Sequence, residues 1–266
     1  EPRKMHNQKL PEAVAAAMAA SDVLFVPTTW SIAHTEARTM ACKAGARVIN
    51  LPALERETLI SGAIDLDFVA NEPLVKKVAD LLTKAKIARV TTGIGTDITM
   101  SIEKRDGAAL ACLSHNPGQF ATVPDVEARV TPVEGTANGV IFVDGSIPIP
   151  EVGLIQNPIK VAVKDGFATK IEGDAKADAF RKVLEDANDP YAYNIAELGI
   201  GMNTCAKLIG VMLEDEGSFG TIHIAVGTSA AFGGKVSTNI HLDMMIRNPI
   251  LYLDDKPILD RGKLLI

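Results

Sequence analysis

Cysteine is scarce in this chain, with 3 in 266 residues, and no C-x-x-C pair occurs among Cys42, Cys112 and Cys205. An odd, widely spaced set of this kind excludes a disulfide framework and a thiolate zinc site, and leaves the thiols as small buried hydrophobes. Long apolar runs are missing too. The longest, Ala13 to Ala20 and Ile209 to Leu213, fall far short of the roughly 20 residues that cross a bilayer, and no basic-plus-apolar leader opens the chain. A soluble, cytoplasmic protein is therefore expected. Basic charge is also in short supply: 27 Lys and Arg stand against 33 Asp and Glu, a net charge of −6, with no Lys/Arg block. That balance has the wrong sign for nucleic acid or an anionic membrane surface, so neither is expected as a partner, and a small-molecule substrate is. What the chain does have is 47% hydrophobic and 23% charged residues, enough to bury the core of one large domain or two modest ones. It begins at Glu1 without a methionine, and the expectation is that an upstream segment of the first domain is missing.

Hydrophobic patterning divides the chain into two textures. From Leu10 to about Arg89, helical stretches alternate with short β-branched runs, the signature of βαβ units on a parallel sheet. Helices are expected over Pro11 to Ala20, Thr35 to Lys43 (closed by Gly45) and Pro73 to Lys84, and strands over Val23 to Val26, Arg47 to Leu51 and Ala88 to Thr92. Beyond about Thr96, short alternating segments are separated by turn chemistry at Val143-Asp144-Gly145, Lys164-Asp165-Gly166, Glu172-Gly173-Asp174 and Leu253-Asp254-Asp255. One helix, Ala175 to Ala187, and a second candidate, Cys205 to Leu213, interrupt them. The expected architecture is an α/β, Rossmann-like N-terminal domain over residues 1–100 and a mostly antiparallel, β-rich metal-binding domain over 101–266.

Chemistry concentrates late in the chain. His241 and Asp243 sit two apart in Ile-His-Leu-Asp, so a strand presents both on one face. His223 lies in the apolar run Thr-Ile-His-Ile-Ala-Val, and Gly233-Gly234 between the two runs allows the chain to double back. Two imidazoles and a carboxylate would then face one divalent cation, the facial triad of non-haem Fe(II) oxygenases. Glu197, with Gly199 and Gly201 on its own face, would add an oxygen ligand or an acid–base group. A single histidine in an apolar strand is more often a hydrogen-bonded core residue. Here, however, Glu197, His223 and the His241/Asp243 pair each fall where burial is costly without a partner. The stretch Gly93-Ile-Gly95-Thr-Asp97 lacks the third glycine of a dinucleotide fingerprint and reads as a turn. Ser21-Asp22, Asp65 and Asp67 read as loop or cap residues, and Asp215-Glu216 as a turn that sets the His223 strand. His6 and His115 have no partner pattern.

Four segments carry a family resemblance: Ser31-Ile-Ala-His34-Thr-Glu-Ala-Arg38, Asn116-Pro-Gly-Gln119-Phe-Ala-Thr-Val-Pro124, Ala196-Glu197-Leu-Gly-Ile-Gly-Met-Asn203, and Leu213-Glu-Asp-Glu216 through His223 to His241-Leu-Asp243. Together they resemble the superfamily of aminopeptidase T/S-type metallopeptidases and the related 2,5-dihydroxypyridine 5,6-dioxygenases. The resemblance implies two metals held by two glutamates, two histidines, a tyrosine and an aspartate in the peptidases, and one Fe(II) held by two histidines and an aspartate in the dioxygenases. Where the peptidase motif has its first glutamate this chain has Gln119, and Ala230 stands at the tyrosine position seven residues after His223. Losing anionic ligands disfavours two adjacent dications. The expectation is a mononuclear Fe(II) ring-cleaving dioxygenase with His223, His241, Asp243 and Glu197 at the metal. Glu197 and His34 are the expected catalytic acid–base groups, and Gln119 and Glu134 the expected substrate contacts. The alternative is an aminopeptidase-like or amidohydrolase-like enzyme using Zn, Mn or Co. A third reading makes the histidines structural in a binding protein. The resemblance also implies a homo-oligomer.

Overall fold

The structure is a computed structural model that describes residue 3 and residues 8–33, 35–53 and 56–266, without the side chain of Glu57. The first helix, Glu12–Ala19, starts behind Pro11. The second, Glu36–Lys43, is capped by Thr35, whose side chain accepts from the Arg38 N–H. Between and after them run the parallel strands Val23–Thr28 and Arg47–Pro52. Gly45 makes the intervening turn with φ 104°, a left-handed conformation that favours glycine. Up to this point the helix–strand alternation read from the sequence is what the chain forms. The third parallel strand, however, is Phe120–Thr122, beside Arg47–Pro52. The strand expected at Ala88 to Thr92 forms as Ile87–Thr91 but pairs antiparallel, with Asp97–Ser101 on one side and Ile250–Leu253 on the other. The Gly93–Gly95 stretch is the hairpin turn between the first two of these.

Pairing of this kind builds an eight-stranded antiparallel sheet from residues 87 to 264, and a second, five-stranded sheet carries the chemistry. Hairpin turns fall where the sequence places them: Asp165 (φ 49°) with Gly166 (φ 80°), and Asp254 (φ 48°) with Asp255 (φ 66°). Asp174 caps the helix Ala175–Asp186. Asp67 caps the long helix Phe68–Lys84, which starts earlier than its Pro73 suggests and carries that proline inside it, without the hydrogen bond another residue there would give the Val69 carbonyl.

The helix expected over Cys205 to Leu213 does not form; only Met212–Asp215 is helical. Side chains take the backbone partners that a helix would need. Asn203 accepts from the N–H groups of Cys205 and Ala206, and Asp215 from those of Ile209 and Gly210. Asp215 also accepts from the Ser146 hydroxyl, so the turn ahead of the His223 strand is tied as expected. Most core residues form one large cluster, and Met18, Ile32, Ala37, Ala41, Ala46 and Val48 form a separate one around the small parallel sheet. Cys112 is buried and Cys42 and Cys205 are half-buried, all as free thiols. Among the described residues, no helix is long and apolar enough to cross a membrane.

Candidate metal centre

Five antiparallel strands in the order His241–Ile246, Ile222–Gly227, Ile195–Gly201, Glu127–Val130 and Ala108–Leu110 form the sheet that holds the site. Cross-strand register decides which residues share a face. Gly199 pairs with His223 on one side and Arg129 on the other, Glu197 pairs with Ala225, Gly201 with Glu127, Ala225 with Asp243, and Gly227 with His241. Glu127, Arg129, Glu197, His223, His241 and Asp243 therefore project from one face. Glycine and alanine occupy the positions between them. A Cβ on Gly199 would lie 1.9 Å from His223 Nε2, so that position must be bare for the imidazole to lie over the strand. A Cβ on Gly201 would lie 2.0 Å from the Ser218 carbonyl, which packs the Glu216–Ser218 turn against the same face. Register shifts between Ile195 and Glu197, a bulge of the kind that re-aims a side chain.

Glu197 is the hub. Its carboxylate lies 3.7 Å from His223 Nε2, 3.4 Å from His241 Nε2 and 3.1 Å from Arg129 Nη1. Burial alone would push its pKa up, but Arg129 and the two imidazoles hold it well below the usual carboxylate range. His223 Nε2 also lies 2.9 Å from Glu127 Oε2, and Arg129 Nε lies 3.4 Å from Glu127 Oε1. Burial disfavours the His223 imidazolium, yet Glu127, Glu197 and Asp243 together outweigh it and raise the pKa well above the usual imidazole value. His241 is likewise opposed by burial and lifted by Asp243 and Glu197, to about 9. Its Nδ1 is hydrogen-bonded to the Thr228 carbonyl at 2.9 Å, which leaves Nε2 facing Glu197 and Asp243. Asp125 and Glu216 rim the face; burial, then the charges of Glu127 and Asp243 respectively, push both pKa values well up, toward neutral acids.

The residues expected from the sequence divide as follows. Glu197 and His223 come together, and His241 and Asp243 adjoin them through contacts of 3.4 Å to Glu197 and 3.7 Å to each other. Among the described residues, the group whose ligand atoms all lie within 4.8 Å of one another is Glu127, Glu197 and His223, not the expected set of His223, His241 and Asp243. Glu127 and Arg129 escape a reading of the sequence, although the alternation in Glu127-Ala-Arg129-Val places both on one strand face. Gln119 is exposed, and its Oε1 accepts from the Asn116 N–H to close its own turn. Glu134 accepts from the Lys235 N–H and pairs with Arg105. His34 and His6 lie outside the described residues, and His115 is exposed.

The donor chemistry fits a cation. Asp125 Oδ1 and His223 Nδ1 are buried without a hydrogen-bond partner, and the buried Glu127 Oε2 has the His223 imidazole, at 2.9 Å, as its ion-pair neighbour. Buried, unpartnered carboxylate oxygens are costly, and a divalent ion with oxygen and imidazole ligands is one way to offset that cost.

Comparison with known proteins agrees in family and in fold. The family profile described as NicX, 2,5-dihydroxypyridine 5,6-dioxygenase, matches residues 3–266. A 2,5-dihydroxypyridine 5,6-dioxygenase of Pseudomonas putida is 25% identical over 260 residues, covering 94% of this chain and 73% of that protein. A solved structure of the 2,5-dihydroxypyridine dioxygenase from Pseudomonas putida KT2440 superposes with a TM-score of 0.81 at 25% identity, covering 95% of this chain and 74% of that one. AmpT from Thermus thermophilus, at 14% identity, shares the fold with a TM-score of 0.66 over 98% of this chain and 81% of its own.

Proposed function

The chain belongs to the NicX family of 2,5-dihydroxypyridine 5,6-dioxygenases, and from that premise we propose that it cleaves the ring of a small hydroxylated N-heteroaromatic with one Fe(II) on the polar face of the five-stranded sheet. The observation that carries this reading is the place of Glu197, one buried carboxylate within 3.7 Å of His223 and 3.4 Å of His241. His223, His241, Asp243 and Glu197 would hold the ion, with Glu127 bordering it. When bound, Fe(II) supplies the redox centre that makes dioxygen reactive toward an aromatic ring.

The chain's own residues do the remaining work. Arg129 offsets the charge of Glu127 and Glu197 and favours the ionised form of the buried Glu197. The Thr228 carbonyl fixes the tautomer and ring orientation of His241, as hydrogen-bond partners behind metal-binding histidines do. Apolar packing on the far side of the sheet holds the strands in register. His34 is the proposed acceptor of a proton from the substrate hydroxyl, a role for which histidine is the side chain most often used.

A direct test reconstitutes the protein anaerobically with Fe(II) and follows oxygen uptake on addition of dihydroxylated pyridines. Substrate-dependent uptake that Zn(II) does not support is expected. Hydrolysis of amino-acid amides with Zn, Mn or Co, and no oxygen uptake with any such ring, would replace this reading with the hydrolytic one.

A further inference from the structure

An aromatic ring lies over Arg129: that of Phe232, whose ring centre is 4.1 Å from the guanidinium carbon and 4.8 Å from the centre of the His241 imidazole. It thus covers two members of the polar face at once. On its outer side lies a hollow of about 360 Å³, open to solvent and lined in part by Lys104, Arg105, Val133, Gly233 and Lys235. Phe232 stands between the two.

What holds this ring down is unlike what holds the strands beneath it. Phe232 ends a three-residue turn, Ala230–Phe232, in which no residue is buried. Gly233 follows in the left-handed region at φ 91°, where a Cβ would meet nothing within 4 Å, whereas one on Gly234 would fall 2.2 Å from Ser229 Oγ, so the turn is open at its tip and close-packed at its base, where the Phe232 and Gly234 N–H groups donate to the Ser229 carbonyl. Polar ties do the holding. The Thr131 hydroxyl donates to the Phe232 carbonyl at 2.7 Å, Arg105 Nη1 donates to the Gly233 carbonyl, and Glu134 takes the Lys235 N–H at 2.7 Å while pairing with Arg105. A turn with no buried residue, fixed by a few polar contacts, opens at lower free-energy cost than a strand core does.

Resting on the functional reading above for the identity of the site but not for the motion itself, we propose that Phe232 is the residue that admits or excludes ligands at the polar face, a hinged ring latched by Arg105 and Glu134. In the closed state its ring rests on Arg129 and His241. In the open state the Arg105 side of the molecule becomes the entrance, and Arg129 and His241 present to an incoming planar ring the surfaces that Phe232 has left. Ring size is thereby screened at the entrance as well as at the metal. Glu134, expected from the sequence to touch substrate, acts here as half of the latch.

The test uses metal-free protein, so that it stands or falls separately from the dioxygenase reading. Carbethoxylation of each histidine is followed by peptide mass spectrometry across a pH series, and the limiting rate of the neutral imidazole is compared among wild type, Phe232→Ala and Arg105→Ala. Both variants should speed modification of His241 and the buried His223 by at least about tenfold, the ratio that about 1.4 kcal/mol of closed-state stabilisation represents, while the exposed His115 keeps its wild-type rate. Arg105 lies outside the polar face, so its variant separates a latch from a simple loss of cover. Unchanged rates in Phe232→Ala would overturn the proposal. Acceleration in Phe232→Ala alone would also overturn it, because the ring would then be a fixed cover rather than a latched gate.

Discussion

The two faces of the five-stranded sheet are both buried, yet they are built from opposite kinds of residue. One presents Ala128, Val130, Leu198, Ile200, Ile222, Ile224, Val226, Met244 and Ile246, each no more than 2% exposed. The other presents Glu127, Arg129, Glu197, His223 and Asp243 in the same strands, one residue out of step. A single strand therefore carries cohesion on its even positions and chemistry on its odd ones. The apolar face is stabilised by removal from water, which is non-directional and tolerant of small shifts. Its counterpart depends on each charge having its partner, and it loses most when one is removed. The contrast explains how a buried sheet can hold five ionisable groups. The apolar side supplies the rigidity, and the polar side uses it to keep like charges at fixed distances.

Substitutions on the two faces should separate these roles. The largest effect is expected for Glu197→Ala, which strands Arg129, His223 and His241 in a buried setting. Loss of about 3–5 kcal/mol of stability, the usual cost of breaking a buried ion pair, should accompany loss of stoichiometric metal, as read by denaturant titration and elemental analysis. Next comes Leu198→Ala, one residue away on the other face. A cost of about 2–5 kcal/mol is expected for the cavity, but metal per chain should stay at the wild-type value. Equal metal loss in the two variants would erase the distinction between the faces.

Gly199→Ala is subtler. Its methyl would fall on the His223 ring, so the imidazole must shift, at an overpacking cost of about 1–3 kcal/mol. Metal affinity should fall more than stability does, by about 10–100-fold as when a ligand loses its orientation, which a competition titration with a chromophoric chelator would read.

The smallest effect is a pH dependence with opposite signs for stability and for binding. His241 is raised from 6.5 to about 9 in the folded, metal-free protein. A group with a raised folded pKa stabilises fully below its unfolded value and loses that contribution as pH rises through its folded one. Metal-free protein should therefore weaken between pH 6.5 and about 9. Over the same interval metal affinity should rise, since the imidazole must shed its proton to bind. Stability measured by denaturation and affinity measured by titration, both across this interval, check the two signs.

How much of the fold and the site is legible in the sequence follows from the range of each interaction. Local signals serve well. Thr35, Asp67 and Asp174 cap helices, and Asp165-Gly166 and Asp254-Asp255 turn hairpins, because caps and turns are decided within a few residues. The two-residue spacing of His241 and Asp243 is enough to place them on one face. Partners distant in sequence are not visible. Phe120–Thr122 completes the parallel sheet and Ile250–Leu253 pairs with Ile87–Thr91, and no local pattern in either segment names its neighbour. Glu127 and Arg129 stay hidden for the same reason, since their alternation fits any half-buried strand until register sets them opposite Gly201 and Gly199. The Cys205 to Leu213 helix fails because Asn203 and Asp215 capture its backbone donors, a competition that hydrophobic periodicity does not record.

The central claim is that one cation sits on the polar face, and diffraction data collected on either side of the iron absorption edge, from crystals prepared anaerobically with Fe(II), test it most directly. A single anomalous peak per chain, within bonding reach of His223 and Glu197 and on the side of the sheet away from Leu198, is the predicted result. Its absence from that face, or a peak held by other residues, would contradict the account.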